Sequence, residues 1–167
     1  MIPRLILLAL TQLPLALAIA TPVAAETRYL AFDPADRITT ALTRGVTLEV
    51  ERGLFGGMTL RRIVSTSARG SVGLERGGPD EARRALPSGA TEASTYSLPD
   101  NAEGRPLARA LCPGAERTFL VVGSVRPVRP FVAQAVGRWS DGTFRHCVTL
   151  SYDYRGEWAM PPATQAE

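Results

Sequence analysis

The chain has 167 residues, with 19 basic residues against 16 acidic ones and a single histidine. Every basic residue is an arginine, which excludes a Schiff-base lysine, a phosphate-loop lysine and a lysine general base. The formal net charge of +3 gives no reason to expect a nucleic acid as the partner. No catalytic or cofactor-binding motif is recognisable, so we expect neither a cofactor nor a metal, and a non-catalytic protein is favoured over an enzyme.

Residues 1–25 predict a cleavable secretory signal peptide. Arg4 precedes an apolar run from Leu5 to Ala20, and small residues lie three and one positions before a cut ahead of Glu26. A retained membrane anchor is the alternative, but a glutamine and a proline interrupt the run, which falls short of the roughly 20 residues that a spanning helix needs. The pattern predicts a periplasmic or secreted protein that keeps no transmembrane segment after cleavage.

Two cysteines, Cys112 and Cys147, remain in the expected mature chain. In an oxidising compartment they predict one disulfide, which would stabilise the fold by about 3 to 4 kcal/mol on the chain-entropy model. A metal or redox pair is the alternative, but two distant cysteines and one histidine fit such a site poorly. The length predicts one domain at residues 26–158, followed by a disordered tail at residues 159–167.

The first part of the mature chain predicts strands. A short strand at 27–32 ends at an Asp-Pro turn, and residues 35–44 are ambiguous, with strand or irregular structure slightly favoured over a helix. Alternating residues at 46–51 and a second run at 58–66 flank a Gly-Gly pair, which predicts a hairpin with a two-residue loop. The predicted cross-strand pairs, one apolar and one charged, are Val50–Ile63 and Glu51–Arg62.

Residues 67–105 predict a long loop region that carries one short helix. Pro79 is followed by two acids, two arginines and a later proline, which is the order of residues in a short helix. An edge strand is predicted at Thr95–Leu98, and a second short helix at Pro106–Leu111.

Three further strands are predicted at 118–125, 131–139 and 143–154. The Asp141-Gly142 dipeptide between the last two indicates a hairpin with a two-residue loop. The pairs predicted by that loop are Trp139–Phe144, Gly137–His146, Ala135–Val148 and Phe131–Tyr152. The chain is therefore expected to be mainly β, an antiparallel sheet or a small sandwich or barrel built from hairpins, with one or two short helices and one disulfide.

The predicted register assigns His146 and Cys147 to opposite faces of the last hairpin. His146 would lie on the apolar core face over Gly137, where a packed, hydrogen-bonded histidine is favoured over a catalytic one. Cys147 would lie on the second face and hold the helix that ends at Cys112 there. Because neighbouring side chains on a strand point apart, a Cys-His dyad is disfavoured.

Glu49 and Glu51 are the carboxylate pair that a polymer hydrolase would need. They lie two residues apart on a predicted strand, about 6 to 7 Å from each other. The predicted pairing of Glu51 with Arg62 would keep this carboxylate ionised. A solvated face of an antiparallel sheet is therefore favoured over an acid–base pair.

Arginines supply one set of candidate ligand residues. The pairs Arg61-Arg62 and Arg83-Arg84 and the segment from Arg126 to Arg129 offer an anion-binding surface, for instance for lipid or polysaccharide phosphates. Each group has acidic neighbours, so solvated charge is the default interpretation.

Tyr152, Tyr154 and Trp158 supply the other set, as a ligand-binding lip or an interface anchor. Burial at the end of the sheet is favoured for the two tyrosines. The leading hypothesis is a non-catalytic exported domain that binds a partner protein or an envelope component, either a protein or a polymer of the envelope. The alternatives are a carboxylate-dependent hydrolase of envelope or extracellular polymer and a structural subunit of an envelope assembly.

Overall fold

The computed structural model describes residues 26–53 and 56–158, so the predicted signal peptide and C-terminal tail lie outside the described residues. The described chain is mainly antiparallel β structure with one disulfide, as the sequence predicts, and it contains three short helices instead of the one or two expected. In chain order the elements are β1 (Glu26–Pro34), α1 (Arg37–Thr43), β2 (Val46–Arg52), β3 (Met58–Thr66), β4 (Gly70–Gly73), β5 (Glu75–Arg76), α2 (Asp80–Arg84), β6 (Ser94–Ser97), α3 (Gly104–Leu111), β7 (Arg117–Val122), β8 (Phe131–Arg138) and β9 (Phe144–Trp158).

The nine strands of the described chain form one sheet that curls into a nearly closed barrel. Their order in the sheet is β4-β3-β2-β1-β9-β8-β7-β6-β5, with antiparallel pairing throughout. The two edge strands, β4 and β5, are separated in the chain by Leu74 alone, so the edges of the sheet must lie side by side. The N–H of Leu74 also donates a hydrogen bond to the carbonyl of Arg61 on β3, at 2.9 Å.

Alternate side chains of the strands fill the interior of the barrel. On β1, for example, Leu30 and Phe32 are buried among the inward-facing residues. The interior keeps an apolar cavity of only about 20 Å³, which is room for about one water molecule and too little for an organic ligand. Other members of this interior cluster are Leu48, Val50, Leu60, Val72, Tyr96, Leu107, Leu111, Leu120, Val122, Phe131, Ala133, Ala135, Leu150 and Tyr152.

The favoured prediction for residues 35–44 is wrong, because these residues contain helix α1. Asp36 caps the helix by accepting a hydrogen bond from the N–H of Thr39 at 2.8 Å, and this bond lowers the pKa of Asp36. The hydroxyls of Thr40 and Thr43 donate to the carbonyls of Asp36 and Thr39 at 2.7 and 3.0 Å. The threonines that suggest a strand therefore make side-chain bonds within the helix.

The first hairpin is present as β2 and β3, but its predicted register is wrong. Arg52 pairs with Met58, so the connection spans residues 53–57 instead of two residues. Two β-bulges then shift the pairing along the strands, since each bulge opposes two residues to one. In place of the predicted pairs Val50–Ile63 and Glu51–Arg62, the structure has the pairs Val50–Leu60, Glu51–Thr59, Leu48–Ile63 and Glu49–Arg62.

Residues 67–105 contain the predicted short helix, as α2, and also β4, β5 and β6. The prediction of an edge strand near Thr95 is wrong, because β6 pairs with β5 on one side and β7 on the other. Helix α2 packs Ala82 against Phe119 and Val136 on the outer face of the sheet. Helix α3 begins at Gly104, two residues before the predicted start.

The C-terminal hairpin follows the predicted register beyond a β-bulge and departs from it near the turn. Arg138 lies opposite Phe144, and Val136 lies opposite His146, one residue earlier than predicted on β8. Cys147 is the extra residue of the bulge and has no partner on β8, so the pairing follows the predicted register from Val148 onward. The pairs Ala135–Val148 and Phe131–Tyr152 are confirmed, whereas Trp139–Phe144 and Gly137–His146 are wrong.

The bulge places His146 on the outer face of the sheet, which corrects its predicted place in the core. Its Nε2 lies 2.8 Å from Oε1 of Gln134, and that oxygen also accepts a hydrogen bond from the hydroxyl of Thr149 at 2.7 Å. Burial lowers the pKa of His146. The only histidine is thus held in a side-chain network at the surface of the sheet.

Cys147 turns toward the interior cluster, so its predicted place on the second face is also wrong. There it forms the predicted disulfide with Cys112, at a Cα–Cα distance of 5.4 Å. Cys112 follows directly after α3 and is itself buried in the interior cluster. The disulfide therefore ties the end of α3 into the barrel core.

Candidate anion-binding site

A cleft of about 740 Å³, here called the mouth, opens at one end of the barrel. One side comes from the start of β1, the end of β2 and the start of β3, and the other from β6 and the loop between β7 and β8. The residues that line the mouth are Arg28, Arg52, Gly56, Gly57, Met58, Ser94, Tyr96, Val122, Gly123, Ser124, Val125, Arg126, Pro127 and Arg129.

Two of the mouth arginines stand at the ends of inward-facing rows of side chains. Arg28 comes two residues before Leu30 on β1, and Arg52 comes two residues after Val50 on β2. Because every second residue of a strand faces the same side, both arginines continue the interior rows. Leu30 and Val50 are fully buried, so the apolar core ends and positive charge begins at this level of the barrel.

Arg28 is the most enclosed arginine of the mouth, with a side chain that is 24% exposed. Its Nη2 lies 2.9 Å from Oε1 of Glu26, and its Nη1 lies 3.1 Å from Oε1 of Glu157. The hydrogen bond with Glu26 is the main influence that raises the pKa of Arg28. Its Nε atom is buried without a hydrogen-bond partner among the described residues, which leaves one guanidinium donor unused.

The other three arginines of the mouth are exposed. Arg52 makes one long ion pair, with 3.9 Å between its Nη1 and Oε2 of Glu26. Arg126 and Arg129 form no ion pair with any residue in the described part of the chain. The mouth therefore carries four positive charges, and two of them, Arg28 and Arg52, pair with the carboxylates of Glu26 and Glu157.

Such an arrangement can bind phosphate or carboxylate groups. A guanidinium presents several N–H donors in a planar fork that matches these anions, and hydrogen bonds between charged groups are about twice as strong as neutral ones. An anion can bind Arg126 and Arg129 without displacing an ion-pair partner from the described residues. Arg28 lies at the enclosed part of the site, where a charge interaction is screened less by water.

The aromatic candidates lie outside the mouth. Tyr152 is buried in the interior cluster, with its hydroxyl 3.1 Å from Oγ1 of Thr43, and burial raises its pKa to about 12. Tyr154 is half-buried against the same cluster. Trp158 is 50% exposed at the end of β9, where the guanidinium of Arg155 lies 5.9 Å from its ring centroid.

Arg61 and Arg62 lie on β3, outside the mouth. Arg61 forms an ion pair with Glu51, with 2.5 Å between Nη2 and Oε2, and so takes the place predicted for Arg62. Arg62 lies opposite Glu49 in the ladder. Both carboxylates of the hypothetical hydrolase pair therefore have an arginine beside or opposite them, and neither lines the mouth.

Of the three predicted arginine groups, only the segment from Arg126 to Arg129 contributes to the mouth. Arg83 and Arg84 instead pair with Asp80 and Glu81 within α2. The predictions miss Arg28 and Arg52. Their positions in the sequence could have identified them. Each arginine lies two residues from an apolar residue that faces the inside of the barrel, so it is the next residue of its strand to face the same way.

Neither a metal-binding cluster nor a spanning helix occurs within residues 26–53 and 56–158. No three histidine, cysteine, aspartate or glutamate side chains there come together as they would around a metal ion. None of the helices in those ranges is long and apolar enough to cross a membrane.

Comparison with protein-family models, with curated proteins and with solved structures found no match to this chain.

Proposed function

We propose that the protein is an exported, non-catalytic domain that binds an anionic partner, either a partner protein or an envelope component, at the mouth of the barrel. The observation that carries this proposal is the convergence of four arginines from distant parts of the chain on one cleft, two of them without an ion-pair partner among the described residues.

Export is supported by two features of the chain. The first 25 residues have the order of a secretory signal peptide, with the expected cut immediately before Glu26. The disulfide between Cys112 and Cys147 is of the kind that persists in oxidising compartments. Both features fit a periplasmic or secreted protein.

Binding at the mouth is supported by the filled interior of the barrel. The interior cavity of about 20 Å³ is too small for a ligand, whereas the mouth offers about 740 Å³. At the mouth, the inward-facing rows of β1 and β2 end in the charged residues Arg28 and Arg52, whereas the residues further inside are apolar. A partner with phosphate or carboxylate groups would neutralise the excess positive charge there.

The proposal is tested with two soluble probes, polyphosphate and poly-L-glutamate, titrated calorimetrically into the exported protein at low and high salt. The variant R126A/R129A is expected to bind at least about tenfold more weakly, because hydrogen bonds to charged groups contribute about 1.5 to 3 kcal/mol. Binding of the unmodified protein is expected to weaken as salt rises.

The matched control is R83A/R84A, which removes the same charge from α2, away from the mouth. Its affinity is expected to stay within about twofold of the unmodified protein. Equal weakening of both variants would mean that overall charge, and not the mouth, attracts the anion. Absence of binding to both probes at low salt would refute the proposed function.

A further inference from the structure

The loop between β7 and β8 has an apolar residue at its tip in an unusual backbone conformation. Val128 has a φ of 60° and is 78% exposed. A β-branched residue in the left-handed region is a conformational outlier that costs free energy. Burial does not explain it, because the side chain projects into solvent.

Two prolines restrict the loop on either side of this tip. Pro127 precedes Val128, and Pro130 follows two residues later. A proline ring fixes φ and removes an N–H donor, so both residues reduce the number of conformations that the loop can adopt. The tip therefore has fewer conformations to lose when a partner binds to it.

The two arginines that flank the tip belong to the mouth. Arg126 and Arg129 line the cleft, whereas Val128 between them does not. The loop between β7 and β8 thus presents two positively charged side chains to the cleft and one apolar side chain, Val128, outside it.

We infer that Val128 is a docking residue for a partner protein whose surface has an apolar recess bordered by carboxylates. This inference rests on the proposed function, since the carboxylates would bind the arginines of the mouth. A strained tip that two prolines restrict favours a partner with a shaped recess, because preorganisation lowers the entropy cost of docking into a fixed site. A hydrated polysaccharide has no apolar recess for the valine, and a fluid bilayer gains nothing from a fixed loop shape.

The partner is tested by site-specific photocrosslinking in cells that export the protein. Val128→p-benzoylphenylalanine is expected to give a discrete adduct with one protein, identified by mass spectrometry, and the adduct yield is expected to fall several-fold when R126A/R129A is added. Arg84→p-benzoylphenylalanine, on exposed α2, is the matched control and is expected not to form that adduct. Adducts only with lipid or glycan at position 128, or no adduct at all, would overturn the inference.

Purified components then separate a docking role from a structural one. Val128→Gly relieves the backbone strain because glycine adopts positive φ freely, so its melting temperature is expected not to fall. The same variant is expected to bind the identified partner at least about tenfold more weakly while its polyphosphate affinity stays unchanged. Unchanged partner affinity would refute docking through Val128, and intact polyphosphate binding in that case would leave the proposed function standing.

Discussion

The hydroxyl of Tyr96 accepts a hydrogen bond from the backbone N–H of Leu60 at 3.2 Å. Tyr96 lies on β6 and Leu60 on β3, two strands near opposite edges of the sheet order. Both residues are almost completely buried, and Tyr96 also lines the mouth. A side chain therefore helps to close the barrel at the place where the ladder of backbone bonds between strands is incomplete.

Replacing this hydroxyl should weaken the closure without changing the shape of the core. Y96F is expected to lower the free energy of unfolding by about 1 to 3 kcal/mol, because the N–H of Leu60 is left buried without a partner. Chemical denaturation measures the change, and Y154F, which alters a half-buried tyrosine, serves as the control with a smaller expected loss. Equal stability of Y96F and the unmodified protein would show that the bond does not help to close the sheet.

The disulfide is expected to contribute through the unfolded chain. Cys112 and Cys147 are 35 residues apart, and a loop of that length corresponds to about 3 to 4 kcal/mol on the chain-entropy model. C112A/C147A should lose about this much stability in denaturant titrations, and the reduced unmodified protein should lose a similar amount. Added reductant should leave the double variant unaffected, and a further loss there would mean that it acts on something other than this bond.

Tyr152 should make stability fall at high pH. Its pKa is raised from 10.0 to about 12 in the folded protein by burial, so the folded state binds this proton more tightly than the unfolded state does. The contribution is complete below pH 10 and is lost as the pH rises from 10 to about 12. Two pKa units correspond to about 3 kcal/mol.

This pH dependence is checked by measuring the free energy of unfolding from pH 9 to pH 12. The loss across that interval should be smaller in Y152F than in the unmodified protein, because the phenol that titrates is gone. Y154F should keep the full loss, since Tyr152 is still present. An identical pH profile in Y152F and the unmodified protein would assign the effect to another group.

Most strands can be predicted from local sequence patterns, whereas the bulge at Cys147 depends on a contact with a residue that is distant in the chain. The alternation of β2 is visible in Val46, Leu48 and Val50, and the pattern is sufficient to predict a strand. No residue type marks Cys147 as the extra residue of a bulge, and its inward direction brings it to Cys112. Helix α1 was predictable in principle, because Asp36 stands three residues before the N–H that it caps.

The mouth is beyond prediction from local patterns because its arginines are dispersed in the sequence. Arg28 and Arg52 come from β1 and β2, whereas Arg126 and Arg129 come from a loop more than 70 residues later. Closure of the sheet through the single linking residue Leu74 brings them to one cleft. Closure of this kind is a property of the whole sheet, and no short motif encodes it.

In the free protein, Glu26 and Glu157 form ion pairs with Arg28. They therefore compete with any anion that binds this arginine. Their carboxylates contact two different nitrogens of the guanidinium, so a phosphate or carboxylate that binds Arg28 must share or displace them. The variant E26Q/E157Q keeps the size of both side chains and removes the two negative charges that contact Arg28. Its affinity for polyphosphate is expected to rise by about tenfold, most clearly at low salt.

The control for this change is E75Q/E116Q, which removes two negative charges from residues that do not line the mouth or contact Arg28. Calorimetric titration of the four proteins, unmodified, R126A/R129A and the two glutamine variants, separates local competition from overall charge. A rise confined to E26Q/E157Q means that the carboxylates compete with the ligand for Arg28. A fall in affinity would mean instead that Glu26 and Glu157 orient Arg28 for binding, since the anion would then need the arginine in the position that they hold.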